Sequence, residues 1–90
     1  MPTISESTKC KAKIGINYVD HNPPHFHVIK RGKTIARVSI REAVVIDGEL
    51  PRPLLHRVLG WCVSHKRELL ADWEISRKGG DVKWIDWTID

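Results

Sequence analysis

The densest group of chemically active side chains lies between positions 20 and 27, which read Asp-His-Asn-Pro-Pro-His-Phe-His. The segment holds one carboxylate and three imidazoles, from Asp20, His21, His25 and His27. Imidazole titrates near neutral pH, so it can donate or accept a proton under physiological conditions, and it is also a common metal ligand. These residue types make the segment the candidate functional centre of the chain.

The spacing of the last two histidines adds a geometric prediction. Side chains two residues apart on a strand project from the same face of a sheet. His25 and His27 therefore share one face, and Phe26 and Val28 take the other. If Phe26 and Val28 meet a helix, the two histidines point away from the core. Asp20 precedes a diproline turn, which is rigid enough to hold it near the start of the strand.

Acid–base catalysis on RNA is the leading interpretation, and it requires no metal and no other cofactor. His25 and His27 would take a proton from a ribose 2′-hydroxyl and return one to the leaving oxygen. Asp20 and His21 would orient or assist them. The protein would then be a ribonuclease.

Two alternatives stay open on the sequence alone. In the first, Asp20, His21, His25 and His27 bind a metal, with zinc or another divalent ion that favours imidazole as the expected ion. In the second, the protein is a non-enzymatic interaction module. The histidines then hydrogen-bond the turn or contact a partner protein.

The charge of the chain favours an anionic partner. The net charge is +4 with neutral histidines, and the pI is about 9.3. Basic side chains that neutralise phosphates are the main source of affinity for nucleic acids. The residues predicted to bind nucleic acid lie on or beside the predicted histidine surface: Lys11, Lys13, Arg31, Lys33 and Arg37.

The elements that position these residues follow from the hydrophobic pattern of a single domain of 90 residues. Residues 1–9 are polar and predict a loose arm. Alternating or β-branched runs predict strands over 11–19, 25–30, 34–40 and 43–46, with β-character again over 81–89. An apolar stripe predicts one helix from about 51 to 77. The predicted fold is α+β, with a mostly antiparallel sheet of three to five strands and one long helix on one face.

Location follows from what the sequence lacks. The first residues show no signal-peptide pattern, and no apolar run is long enough to span a membrane. Cys10 and Cys62 form no CxxC motif and are expected to be reduced thiols. We therefore expect a cytoplasmic protein.

Four stretches together resemble a known family. They are residues 1–5, the string at 20–27, Gly48-Glu49-Leu50-Pro51-Arg52, and Glu68-Leu69-Leu70 with Trp73-Glu74. The chain resembles the small bacterial proteins called domain of unknown function 4160. That resemblance implies a toxin of a type II toxin–antitoxin pair. The implied partner is a small antitoxin of the family called domain of unknown function 2442, and no reaction is implied.

Overall fold

The described part of the chain contains one antiparallel sheet and two helices. The computed structural model describes residues 1–18 and 20–88. The strands lie side by side in chain order, and every neighbouring pair is antiparallel. In chain order the elements are β1 (Thr3–Ser7), β2 (Ala12–Gly15), β3 (His25–Lys30), β4 (Lys33–Ser39), β5 (Val44–Gly48), α1 (Arg52–Ser64) and α2 (Lys66–Arg77).

The α+β class and the antiparallel sheet are confirmed, but the prediction of one long helix is wrong. The helix stops at His65, whose backbone angles are φ −117° and ψ 22°. Its ring is held outside the helix, with Nδ1 2.6 Å from Glu68 Oε1 and Nε2 3.0 Å from Thr88 Oγ1. The apolar stripe continues through this break, so periodicity alone does not reveal it.

The two helices contact different rings of β3. Trp61 of α1 packs edge-to-face on Phe26, with ring centroids 5.7 Å apart. Trp73 of α2 packs on His25, with centroids 5.1 Å apart. The break at His65 thus gives each helix its own contact with this strand.

The N-terminal residues differ from the prediction of a loose arm. Residues 3–7 form β1, which pairs with β2, and the Ile4 side chain is fully buried. Ile4 is the single strongly apolar residue in this strand, so the period-two pattern of a strand is hidden. Ser5 and Ser7 take the remaining buried positions.

The C-terminal segment forms no regular strand over residues 81–88. It nevertheless runs beside β1, because the amide of Ile85 donates a hydrogen bond to the carbonyl of Ile4 (2.7 Å). Within this segment Trp84 is 56% exposed, whereas Ile85 is buried. Val19 and Ile89, which end two of the predicted strands, lie outside the described residues.

The hydrophobic core is one cluster that joins Phe26 and Val28 of the sheet to buried residues of both helices. Neither helix, judged over the described residues, is long and apolar enough to cross a membrane. The fully buried side chains with the largest volumes include Trp61, Trp73, Phe26, Ile4, Ile14, Ile16, Ile40 and Leu69.

A buried carboxylate fastens the C-terminal segment to α2. Asp72 is 2% exposed, and its Oδ1 accepts a hydrogen bond from the amide of Lys83 (2.9 Å). Within the described structure, its Oδ2 has no hydrogen-bond partner. Burial raises the pKa of Asp72 and outweighs the hydrogen bond from Lys83. The charged form of this group therefore opposes folding.

We expect Asp72→Asn to stabilise the protein at neutral pH. The amide oxygen can still accept the bond from Lys83, and the buried charge is gone. The gain should be about 1 kcal/mol, which is a rise in Tm of about 4–8 °C for a domain of this size. Toward pH 3, well below the ordinary Asp pKa of about 3.9, the carboxyl is protonated in both the folded and the unfolded protein, so the difference that comes from the charge should vanish there.

Thermal unfolding followed between pH 3 and pH 8 checks this prediction. Asp86→Asn is the matched control, because Asp86 is exposed and only its carbonyl is used, as the acceptor for Trp61 Nε1. A lower Tm for Asp72→Asn at pH 7 would show that the charge of Asp72 stabilises the fold.

Candidate metal centre

The two histidines of β3 lie on the face opposite to Phe26 and Val28, but they are not exposed. His25 is 4% exposed and His27 is 7% exposed. Trp73 packs against His25. The side chains of Asn17 and Asp20 lie against His27, at 3.3 and 3.5 Å from its Nε2. The predicted surface site is therefore a recess in the sheet face.

Asp20 supplies the acidic group of this recess. The amide of His21 donates a hydrogen bond to Asp20 Oδ1 (2.8 Å) and fixes the carboxylate. The other oxygen, Oδ2, faces both imidazoles, at 3.0 Å from His25 Nε2 and 3.5 Å from His27 Nε2. The three potential ligand atoms all lie within 4.8 Å of one another.

The hydrogen bonds of His25 indicate which of its ring nitrogens could bind a cation. His25 Nδ1 lies 2.8 Å from the carbonyl oxygen of Pro23. A carbonyl only accepts, so Nδ1 carries the hydrogen, and in the neutral ring Nε2 then carries a lone pair. Although Nε2 lies 3.0 Å from Asp20 Oδ2, it makes no aligned hydrogen bond there. Two acceptor atoms at this distance repel each other unless a proton or a metal ion lies between them.

The hydrogen bond from His25 Nδ1 to the carbonyl of Pro23 is of a kind that is common in metal sites. A histidine that binds a metal through one nitrogen usually donates its other N–H to a carbonyl or a carboxylate, which fixes the tautomer and the ring orientation. The bond from His25 to Pro23 has this form. The turn at Pro23 and Pro24 therefore orients a ligand as well as ending the preceding loop.

Asn17 is a fourth member of the recess that the sequence reasoning did not single out. Its side-chain amide nitrogen lies 3.4 Å from Asp20 Oδ2 and 3.3 Å from His27 Nε2. Ligands about 2.0–2.1 Å from a tetrahedral ion lie about 3.3–3.4 Å from one another. The distances from Asp20 Oδ2 to His25 and His27, and those made by Asn17, bracket this value. Exchanging the amide nitrogen and oxygen would turn Asn17 Oδ1 toward the same point.

The protonation states suit metal binding. Burial lowers the pKa of His27 and outweighs the hydrogen bond with Asp20. Partial burial raises the pKa of Asp20, but the amide of His21, the His27 hydrogen bond and the positive charge that His25 carries when it is protonated together bring it below its ordinary value. At neutral pH, His27 is therefore neutral and Asp20 is ionised, which are the forms that bind metals.

His21, the fourth residue of the predicted histidine site, contributes no side chain to the recess. The side chain of His21 is exposed and does not join the three-residue cluster. Its contribution is the backbone hydrogen bond to Asp20. The structure thus brings together Asp20, His25 and His27 from the predicted set.

The predicted phosphate-binding residues fall into two groups. Lys11, Lys13 and Arg31 line one groove of about 560 Å³. Lys33 is exposed outside the lining of that groove. Arg37 forms an ion pair with Asp47, with 2.6 Å between Nη2 and Oδ2, so its charge is already partnered.

Fold and site together define a small α+β protein with two histidines and one carboxylate clustered on an open antiparallel sheet. The family model described as "Domain of unknown function (DUF4160)" matches residues 12–74. The chain belongs to this family, as the resemblance predicted, and the matched span contains all three clustered residues. No curated protein and no solved structure matches the chain.

Proposed function

We propose that the protein binds one divalent transition-metal ion through Asp20, His25 and His27 and uses it for hydrolysis. The observation that carries this proposal is the convergence of the three ligand atoms within 4.8 Å. Structural zinc sites are closed by four protein ligands, whereas catalytic sites have three and keep a position for water or substrate. Two histidines with one carboxylate form a ligand set of the second kind.

The geometry favours this role over an acid–base pair acting alone. In phosphoryl transfer the attacking and leaving oxygens lie roughly in line, on opposite sides of phosphorus. A general base and a general acid must then flank the reacting group. His25 Nε2 and His27 Nε2 instead face a single carboxylate oxygen, at 3.0 and 3.5 Å. The potential ligand atoms all lie within 4.8 Å of one another, which is close for two groups that must flank a phosphodiester.

The ligand types also narrow the choice of ion. Imidazole nitrogen suits Zn²⁺, Fe²⁺, Co²⁺ and Ni²⁺, whereas Mg²⁺ and Ca²⁺ favour all-oxygen sites. A divalent ion held here would supply hydroxide near neutral pH by lowering the pKa of a bound water. Asn17, beside Asp20 and His27, is placed either to complete the ligand set through Oδ1 or to donate a hydrogen bond to that water.

The toxin role and the small antitoxin partner stay predictions that rest on the family resemblance. A hydrolase acting on RNA would arrest growth, so the two proposals agree with each other. We expect induced expression in a bacterial host to arrest growth, and a His25→Ala/His27→Ala variant that folds to lose this effect. Growth arrest by the double variant would show that toxicity does not depend on the proposed metal centre.

Isothermal titration of tag-free, chelator-treated protein with Zn²⁺, Co²⁺ and Mn²⁺ tests the metal proposal. We expect one ion per chain, with Mg²⁺ and Ca²⁺ much weaker. Binding should weaken as the pH falls from 7 to 5, because protons compete for the two imidazoles. The absence of 1:1 binding by any of the transition metals at pH 7 would contradict the proposal.

A further inference from the structure

A basic groove lies at one end of the sheet, where the β1–β2 turn and the β3–β4 turn meet. The groove has a volume of about 560 Å³. Ile29 lies in its lining, and two threonines and one glutamate stand among the basic residues. The full lining is Thr3, Glu6, Thr8, Lys11, Lys13, Ile29, Arg31 and Gly32.

Positive charge is concentrated at this end of the molecule. Residues 1–13 and 29–34 contain six basic residues and one acidic residue, Glu6, while the net charge of the whole chain is +4. The ion pairs of the described structure involve none of the six. Their charges are therefore available to a ligand. The six are Lys9, Lys11, Lys13, Lys30, Arg31 and Lys33.

The groove and the metal centre lie on one face of the sheet. Lys13 pairs with Ile29, and Gly15 pairs with His27, so the groove lining and the nearer histidine are two positions apart along the strands. Two residues along a strand span about 7 Å, and their side chains share a face. Gly15 lies beside His27, and an added Cβ there would lie 2.8 Å from the sulfur of Met1. Met1 therefore lies over the glycine that neighbours the candidate metal centre.

We infer that this groove binds the phosphate backbone of single-stranded RNA and leads the strand toward the Asp20–His25–His27 centre. Three basic side chains in the lining can each neutralise a phosphate. The histidines are recessed, with exposures of 4% and 7%, so a flexible single strand can approach them more closely than a rigid duplex can. Cleavage of the strand rests on the proposed metal centre, whereas binding in the groove does not.

Glu6 favours RNA over DNA as the ligand. An acidic side chain in a groove that binds phosphates weakens the attraction for any polyanion. It can, however, accept a hydrogen bond from a ribose 2′-hydroxyl, which is the group that distinguishes RNA from DNA. Thr3 and Thr8 add hydroxyl groups to the same lining and can bond either a phosphate or a ribose.

Fluorescence anisotropy with a labelled 12-nucleotide RNA, at several salt concentrations, tests this inference. The test variant Lys11→Gln/Lys13→Gln/Arg31→Gln should bind at least 10-fold more weakly than the wild type. The slope of log K against log salt should fall by about 2, because each phosphate contact on a single strand contributes about 0.7. Glu6→Gln should reduce the preference for RNA over DNA of the same sequence.

A matched control removes the same charge elsewhere. Arg52→Gln/Lys66→Gln/Lys78→Gln changes three exposed basic residues of the helical part, and it should alter RNA affinity by less than about 3-fold, through the long-range field alone. Equal losses in the two triple variants would overturn the groove as the binding site. Tighter binding of poly-glutamate or of DNA than of RNA would overturn RNA as its ligand.

The proposal of the metal centre and the proposal of the RNA-binding groove can be disproved independently. A His25→Gln/His27→Gln variant whose fold is verified by circular dichroism should still bind the RNA in the groove, because neither residue lines the groove. RNA that binds in the groove but is never cleaved with Zn²⁺, Co²⁺ or Mn²⁺ would contradict hydrolysis at the centre and leave the groove standing. A metal-loaded protein that binds no RNA would contradict the groove as an RNA-binding site and leave the metal centre unaffected.

Discussion

Replacing His27 by alanine should lower the affinity for Zn²⁺ or Co²⁺ by at least about 100-fold, since losing even an outer-shell partner of a metal ligand costs about 10- to 100-fold. The same loss is expected for His25→Ala. Both Nε2 atoms face Asp20 Oδ2, at 3.5 and 3.0 Å. Two remaining ligands would not hold the ion. Isothermal titration of each variant measures the change directly.

His21→Ala is the matched control for these two variants. It removes a histidine from the same segment, but the side chain of His21 is exposed and lies outside the cluster. Its backbone bond to Asp20 survives the substitution. We expect affinity close to that of the wild type. If His21→Ala weakens metal binding as much as His27→Ala, the three-residue assignment is wrong and the four-residue set is favoured.

His25 and His27 are buried, so their replacement also affects folding. His25→Gln and His27→Gln keep a polar side chain of similar size and serve as second variants. Circular dichroism and thermal unfolding of the metal-free proteins separate the two effects. A variant that keeps the wild-type Tm without metal, and has lost the rise in Tm on adding Zn²⁺, has lost the site and not the fold.

Replacing Trp73 by alanine should destabilise the protein by about 3–5 kcal/mol, as for other buried aromatic residues cut to alanine. A domain of 90 residues has a total stability of about 5–13 kcal/mol, so much of the protein could unfold. Trp73 is 1% exposed and supports the ring of His25. Metal affinity should fall along with stability. Urea unfolding with and without Zn²⁺ measures both effects.

Trp84→Ala provides the control with the same change of side chain. Trp84 is 56% exposed, and substitutions on the surface usually stay within about 0.5 kcal/mol. Comparable losses in the two variants would show that Trp73 does not anchor the core. Trp73→Phe, which keeps an aromatic ring against His25, should retain more metal affinity than Trp73→Ala.

The sequence predicts strand β3 and the shared face of His25 and His27 well, whereas the strand predicted over 11–19 is shorter, Ala12–Gly15. Strand β3 has the predicted bounds, because Phe26 and Val28 alternate with His25 and His27 between a diproline and a tight turn. Strand β1 could not be predicted from the hydrophobic pattern, since Ile4 is its single strongly apolar residue. The break between the two helices at His65 could not be predicted from this pattern either, because it depends on contacts with Glu68 and Thr88.

The composition of the recess could be predicted only in part. Period two puts His25 and His27 on one face, but it does not show that Trp73, from a second helix, covers that face. Asn17 falls on the same face by its spacing from Gly15, yet an asparagine beyond the end of a strand carries no signal of its own. Which of Asp20 and His21 turns inward depends on the loop conformation, which the hydrophobic pattern does not encode.

The measurement that tests the central claim most directly is a crystal structure of the protein grown with Co²⁺ or Zn²⁺, with anomalous data collected at the metal edge. The metal proposal predicts one strong peak per chain, about 2.0–2.2 Å from Asp20 Oδ2, His25 Nε2 and His27 Nε2. Asn17 or a water molecule should occupy a further position. A peak elsewhere, or an imidazolium hydrogen-bonded to Asp20 with no metal in the recess, would contradict the metal centre.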